Sequence, residues 1–301
     1  MKKTLAMMTA AMMAAGALVG CGSSSSTPAA TTAAATEAAT TAATTEAATD
    51  AATTETAGDT AAAAEGSVKT PSGKFTVGFD QEFPPMGFVG DDGQFTGFDL
   101  DLAKEVASRL GLEFVPQPIN WDAKDMELDS GNIDCIWNGF TMQGREDAYT
   151  WVGPYMANNQ VFVVNADSDI ASKADLAGKA VEVQKDSSGL VALQDDAEFS
   201  ASFGSMTEVA DYNTALMDLE SGACDAVCMD SIVAGYQIKS SGKDMKILDD
   251  TLSAEEYGIG FKKGEDELAK AVYDTLMAMK DDGTVAKISN DWFGSDVFTL
   301  K

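Results

Sequence analysis

Apolar residues alternate between two spacings from residue 74 onward: short continuous runs, and runs that repeat every three or four positions. The first spacing predicts strands and the second predicts amphipathic helices. Residues 98–111 form the clearest predicted helix, in which Asp99 is placed to cap the N-terminus and Gly111 ends the last turn. The predicted strands cover residues 74–80, 112–116, 133–137, 160–164, 180–184, 223–229, 246–248 and 258–261. The other predicted helices cover residues 121–130, 173–177, 190–196, 213–221, 231–240, 266–280 and 285–292.

This alternation of strands and helices predicts an α/β fold with mainly parallel sheets covered by helices on both faces. The length of the alternating region fits two such units. Proteins of this class bind ligands at the carboxyl ends of strands, near helix N-termini or between domains. The residues that directly follow the predicted strands are therefore the candidates for a binding site.

Polar side chains follow four of the predicted strands. Asp80, Ser188 and Asp230 each lie within a few residues of a strand end, and Arg145 follows the buried strand 133–137. The chain has two arginines, and a guanidinium fork binds a carboxylate through two hydrogen bonds, which a lysine cannot do. A structural role is open for each residue: Asp230 and Ser188 as helix caps, and Arg145 in an ion pair with a neighbouring acid, Glu146 or Asp147.

The N-terminus resembles a bacterial lipoprotein signal. Residues 1–20 contain two lysines followed by a short apolar run, which indicates a secretory signal peptide rather than a membrane span. The sequence Leu-Val-Gly before Cys21 resembles a lipobox, so we expect a lipid on Cys21 that tethers the protein to the outer face of the cytoplasmic membrane. Residues 22–66 are rich in Ala, Thr and Ser and have no large apolar side chain, which predicts a disordered spacer from 21 to 66.

Composition excludes several classes of function. The formal net charge of −28 disfavours binding to nucleic acids, because the phosphate backbone repels an acidic surface. The chain has no histidine, which excludes catalytic triads and the common zinc sites that need one. Cys135, Cys224 and Cys228 are an odd number for disulfides outside the cytoplasm, and we expect them to be small buried side chains. We expect no cofactor and no metal.

Several motifs, in order along the chain, resemble the family 3 bacterial extracellular solute-binding proteins, the polar amino-acid receptors of ABC importers. The resemblance covers residues 73–294. The motifs that carry it are Thr-Gly-Phe-Asp-Leu-Asp-Leu-Ala at 96–103, Gly-Asn-Ile-Asp-Cys-Ile-Trp-Asn-Gly-Phe-Thr at 131–141, Asp-Ala-Val-Cys-Met-Asp at 225–230, Gly-Ile-Gly-Phe at 258–261 and Trp-Phe-Gly at 292–294.

The resemblance implies a two-lobed clamshell of the type II periplasmic-binding-protein kind. Lobe 1 would comprise residues 67–158 and 256–301, and lobe 2 would comprise residues 159–255, with hinge crossings near 156–160 and 252–257. It also implies that the protein works as a monomer, that its lobes close over a free amino acid, and that the closed form is recognised by an ABC transporter permease.

The resemblance also assigns site residues. On lobe 1, Arg145 would grip the ligand α-carboxylate with help from the Thr141 hydroxyl and the Gly139 backbone. On lobe 2, Asp230 would bind the α-ammonium, and Ser188 would add a contact to the carboxylate. Neither lobe alone would then satisfy both charges of the ligand.

Three further residues would contact the ligand side chain: Phe83 and Trp121 as an aromatic sandwich, and Asp80 at its far end. Asp80 and the nearby Glu82 favour a basic amino acid, while cystine and glutamine stay open because both offer donors to an acid. Two other functions are alternatives: an enzyme on the same scaffold, similar to a dehydratase, and a surface adhesin or sensor domain.

Overall fold

The computed structural model describes Thr70 and residues 72–301. The predicted signal peptide, Cys21 and the spacer lie outside the described residues. The strands are β1 Lys74–Phe79, β2 Glu82–Phe83, β3 Gly87–Val89, β4 Phe95–Thr96, β5 Glu113–Pro118, β6 Cys135–Thr141, β7 Tyr149–Asn165, β8 Ala180–Gln184, β9 Ser205–Val209, β10 Ala226–Asp230 and β11 Met245–Lys262. The helices are α1 Phe98–Leu110, α2 Lys124–Ser130, α3 Ser188–Asp195, α4 Ala197–Ser200, α5 Tyr212–Ser221, α6 Ser231–Ser241, α7 Asp266–Asp281 and α8 Thr284–Phe293.

Eight strands form one hydrogen-bonded sheet in the order β5-β1-β6-β11-β7-β10-β8-β9. The pairs β1–β5, β1–β6, β8–β10 and β8–β9 are parallel, whereas the long strands β7 and β11 are antiparallel to their neighbours. We call the part that carries β1–β6 lobe 1 and the part that carries β8–β10 lobe 2. The predicted hinge crossings at 156–160 and 252–257 fall inside β7 and β11.

Helices α1, α3, α5, α6 and α7 pack against the sheet through buried apolar side chains. The α1 side chains Phe98, Leu102 and Val106 are fully buried in the same core cluster as Val272 and Leu276 of α7. Lobe 2 has its own cluster, which includes Phe162, Val183, Leu193 and Cys228. Burial of each large apolar side chain stabilises the fold by about 1.5–3 kcal/mol. Cys135, Cys224 and Cys228 are buried and free, as the sequence predicted.

The predicted strands and helices are found near their expected positions, with four differences. Asp99 does not cap α1, because the cap position is Gly97 and the Asp99 side chain is buried. β6 extends to Thr141, so residues 138–141 belong to the strand rather than to a loop. The short predictions at 160–164, 246–248 and 258–261 are parts of the long strands β7 and β11. The small sheet β2-β3-β4, the edge strand β9 and α4 have no counterpart in the prediction.

Candidate functional site

The carboxyl ends of strands from both lobes meet around one small cavity. Nine residues line it: Phe83, Trp121, Gly139, Thr141, Arg145, Gln184, Ser187, Ser188 and Asp230. Seven of the eight predicted ligand-binding residues are therefore brought together. The eighth, Asp80, lies directly behind the lining, because its Oδ2 accepts a hydrogen bond of 2.7 Å from Gln184 Nε2.

The cavity is nearly closed. The space open to water inside it is about 10 Å³, enough for about one water molecule. Across it, Thr141 Oγ1 of lobe 1 lies 3.2 Å from Ser188 Oγ of lobe 2. An amino acid is much larger than this space, so a ligand can enter only when the two lobes separate.

Arg145 supplies the positive charge of the cavity. Its Nη1 donates to the Thr141 carbonyl at 3.2 Å, its Nη2 donates to the Asp186 carbonyl at 3.4 Å, and its guanidinium carbon lies 5.2 Å from the centre of the Phe140 ring. Within residues 72–301, no carboxylate lies within 4 Å of this guanidinium, so the alternative ion pair with Glu146 or Asp147 does not form. The charge is therefore held in place by the backbone and a ring and is not neutralised.

Asp230, at the end of β10, is the acidic residue that lines the cavity. It is 4% exposed and accepts hydrogen bonds from Tyr257 Oη at 2.6 Å, from Asn158 Nδ2 at 2.7 Å and from Tyr212 Oη at 3.2 Å. Burial, together with the charge of Glu255, raises the pKa of Asp230 to about 8. It precedes α6 without giving that helix a side-chain cap bond, so the capping role that the sequence left open is not observed.

The conformation of Gly139 is held by Asp99. The Gly139 N–H donates to Asp99 Oδ2 at 2.7 Å, and the same carboxylate accepts from Tyr155 Oη at 2.8 Å. Burial raises the pKa of Asp99 to about 7. Gly139 has φ +56°, and a Cβ there would lie 3.0 Å from the Phe83 ring and 3.1 Å from the Tyr257 ring, so the strand end requires glycine.

The start of α3 faces the cavity from lobe 2. Ser187 caps this helix by accepting a 3.1 Å hydrogen bond from the Leu190 N–H, and Ser188 is its first residue. Gln160 Nε2 donates to Ser188 Oγ at 3.1 Å. Backbone N–H groups at the N-terminus of a helix favour an anion, so a carboxylate bound here would be stabilised by both lobes.

The two predicted aromatic residues both line the cavity. Phe83 is nearly buried and its ring centre lies 5.8 Å from that of Tyr212 in lobe 2. Trp121 packs edge-on against Phe140 at 5.5 Å, and Lys124 Nζ lies 5.1 Å from the Trp121 ring. Both rings are thus partly used for packing while they also line the cavity.

A larger groove continues from Asp80 to the outside. Its volume is about 980 Å³, and its charged lining residues are Asp80, Glu82, Asp122, Glu127, Glu208, Asp211 and Lys185. Burial raises the pKa of Asp80 to about 6. Six acids against one lysine make the groove strongly negative, so a ligand part that projects from the cavity toward it meets a site suited to a cation.

Ion pairs cross the mouth of the cleft. Lys185 of lobe 2 contacts Asp122 of lobe 1 at 2.6 Å, and Lys124 of lobe 1 contacts Asp186 of lobe 2. Asn213 of lobe 2 also donates to Glu82 of lobe 1. These contacts join the lobes in the closed arrangement. In the part of the chain that the structure describes, no group of three acidic or cysteine side chains is placed to hold a metal ion.

Comparison with known proteins identifies the family. The model of the bacterial extracellular solute-binding proteins, family 3, matches residues 75–295. The chain belongs to this family. The resemblance in the motifs and the type II periplasmic-binding fold are both confirmed.

Two curated family members and two solved structures show the range of relatives. The L-cystine-binding protein TcyJ of Escherichia coli strain K12 is 31% identical over 75% of this chain and 84% of its own. The L-cystine-binding protein TcyA of Bacillus subtilis strain 168 is 33% identical over 75% of this chain and 83% of its own. A histidine-bound ABC uptake transporter substrate-binding protein of Streptococcus pneumoniae superposes with a TM-score of 0.73. The identity is 33%, over 76% of this chain and 95% of the other. An arginine-bound ancestral arginine-binding protein superposes with a TM-score of 0.69, at 36% identity over 74% of this chain and 99% of its own.

These family members are amino-acid-binding proteins, and the class of function predicted from the sequence is confirmed at that level. Sequence reasoning missed Gln184 of the cavity lining and several polar residues around Asp230, namely Asn158, Gln160, Tyr212, Glu255 and Tyr257. A polar or aromatic side chain alone does not distinguish a site residue from other residues in the sequence. The Gly-Ile-Gly motif beside Tyr257 was the one local signal for any of them.

Proposed function

We propose that this family 3 protein is a lipid-anchored extracytoplasmic receptor that binds an amino acid with a cationic group at the end of its side chain and delivers it to an ABC importer. The observation that carries the proposal is the placement of Arg145 and Asp230, from opposite lobes, around one cavity. A zwitterion is expensive to bury unless both of its charges are matched.

Lobe closure follows from this division of charges. The α-carboxylate pairs with Arg145 and the start of α3, while the α-ammonium pairs with Asp230. Because one lobe alone satisfies only part of the ligand, the ligand binds the closed form more tightly than the open form. Each charge-assisted hydrogen bond contributes about 1.5–3 kcal/mol, so a few of them reach the roughly 8 kcal/mol that micromolar affinity needs.

The acidic groove supports a cationic distal group. Asp80 and Glu82 lie where a ligand side chain leaves the cavity, and the groove beyond them adds four more acids. Lysine and arginine end in a cation that suits this groove, and the second half of cystine brings an α-ammonium beside its own α-carboxylate, so an ammonium or guanidinium can reach the groove in all three. The relatives that bind cystine and arginine agree with this range.

A thermal-shift screen of residues 67–301 against the common amino acids and cystine tests the ligand class. Cystine, arginine or lysine is expected to raise the melting temperature, because a ligand that binds only the folded state stabilises it. Glutamate and aspartate, whose side chains would meet the acidic groove, are expected to give no shift. A largest shift with an acidic amino acid would contradict the assignment of the groove. The bound amino acid should be recovered unchanged, since turnover would indicate an enzyme.

The membrane anchor is a separate part of the proposal. In cells, Cys21→Ser is expected to move the protein from the membrane fraction to the medium or the soluble fraction, because the acceptor of the lipid is lost. Ser23→Ala serves as the matched control and should leave the protein in the membrane fraction. A Cys21→Ser protein that stays membrane-bound would contradict lipidation at this residue.

A further inference from the structure

Two buried carboxylates share one amide group behind the cavity. Asn158 Nδ2 donates to Asp230 Oδ1 at 2.7 Å and to Glu255 Oε1 at 2.5 Å. Asp230 is 4% exposed and Glu255 is 5% exposed. Because both acceptor oxygens contact the same nitrogen atom, the two carboxylates lie side by side in an environment with little water.

No basic side chain neutralises this pair. Among residues 72–301, no lysine or arginine lies within 4 Å of either carboxylate, and Arg145 faces Asp230 only across the cavity. The other titratable groups near the pair are Tyr212 of α5, Tyr257 of β11 and Cys228 of β10, and burial raises the pKa of each. These three groups therefore stay protonated at neutral pH and release no proton there.

Two adjacent negative charges in a buried site repel each other, and burial disfavours each of them further. The Glu255 charge therefore favours the protonated form of the neighbouring Asp230. Burial first, and then the charge of Glu255, raise the pKa of Asp230, which agrees with a proton retained there.

We propose that Asp230, held beside the Glu255 carboxylate, keeps a proton in the ligand-free protein, and that the α-ammonium of the amino acid displaces this proton into solvent. The inference rests on the proposed function, because it needs an amino acid whose ammonium reaches Asp230. One positive charge enters the site as the ammonium and one leaves as the proton, so the charge of the pair stays balanced. No covalent bond of the ligand changes.

Glu255 acts as a positioning residue through Asp230 and Gln160. Its Oε1 also accepts a 2.9 Å hydrogen bond from Gln160 Nε2, which in turn donates to Ser188 Oγ in the cavity lining. The carboxylate pair is thus connected by hydrogen bonds to the part of the site where the ligand carboxylate binds.

Calorimetry in two buffers of different ionisation enthalpy, phosphate and Tris, measures the proton that is released. We would titrate residues 67–301 with L-arginine and with L-cystine at pH 7, where Asp80, with its pKa of about 6, is already mostly ionised. Nearly one proton released per ligand is expected, with an affinity that rises several-fold, approaching tenfold, from pH 6.5 to 7.5. Tight binding with a proton count near zero would overturn the inference without any variant.

Two variants, each replacing a glutamate with the isosteric glutamine, test whether Glu255 is responsible for the proton release. Glu255→Gln leaves Asp230 without a partner acid, so the proton count at pH 7 should fall below half of the wild-type count. Glu256→Gln, the exposed neighbour on β11, should keep the wild-type count. A wild-type count in Glu255→Gln would overturn the role of Glu255. Absence of binding by every amino acid in the wild-type protein would instead contradict the proposed function itself, and the two failures are therefore distinguishable.

Discussion

Replacing Arg145 with alanine is expected to abolish amino-acid binding while the protein stays folded. Of the residues that line the cavity in the described part of the chain, Arg145 is the one with a positive charge. Losing two charge-assisted hydrogen bonds to the ligand carboxylate costs about 3–6 kcal/mol, which weakens binding by about 100-fold or more. Calorimetric titration with the amino acid found in the screen measures this loss.

The folded state should survive because Arg145 contributes little to it. Its contacts are two hydrogen bonds to backbone carbonyls and one ring, and a net hydrogen bond contributes only about 0.5–1.5 kcal/mol. Arg109→Ala is the matched control, since Arg109 pairs with Glu105 and Asp282 on the surface of lobe 1 and does not line the cavity. Unchanged affinity in Arg145→Ala, or an equal loss in Arg109→Ala, would reject the carboxylate assignment.

Asp230→Asn is expected to weaken binding by about 100-fold, because the ligand ammonium would then face a neutral amide instead of a carboxylate. Asp195→Asn, an exposed change on α3 of the same lobe, should leave the affinity unchanged. Calorimetric titration of both variants measures the difference. A small loss in Asp230→Asn, comparable with that of the control, would show that the ammonium binds elsewhere.

The melting temperature of ligand-free Asp230→Asn, measured against pH, tests the protonation of Asp230 independently of ligand binding. The folded pKa of Asp230, about 8, lies above its ordinary value, so the folded protein holds a proton there that the unfolded chain releases at neutral pH. The stabilisation from that proton is present at low pH and is lost as the pH rises through about 8. Relative to wild type, the melting temperature of ligand-free Asp230→Asn should therefore rise between pH 6 and pH 9. A constant difference would contradict a protonated Asp230.

The residues that could be predicted from sequence are those that follow a strand along the chain. Asp80, Arg145, Ser188 and Asp230 met this rule, and the structure places three of them in the cavity lining and the fourth directly behind it. Local pattern placed them at a shared edge, since the ends of parallel strands meet there, while their binding roles were predicted from the family resemblance.

The partners of Asp230 could not be predicted in this way. Asn158 and Glu255 are 97 positions apart and meet only because β7 pairs with β11 over most of its length. The polar stretches around them show neither the period of a strand with one buried face nor that of a helix, so the hydrophobic pattern gave only short fragments of these two strands. Asp99 was predicted as a cap because aspartate is favoured at helix N-caps, whereas its hydrogen bonds with the Gly139 N–H and the Tyr155 hydroxyl hold it in the buried site.

Both lobes are built onto the same pair of strands, β7 and β11, and the side chains that surround the Asp230 carboxylate come partly from that pair. In the proposed binding mode, the ligand amine would therefore meet Asp230 near the axis about which the molecule would open. Near an axis a small rotation moves atoms by little, while atoms farther from the axis move more. A change in charge at the axis can thus be turned into a large displacement at the surface that a transporter would contact.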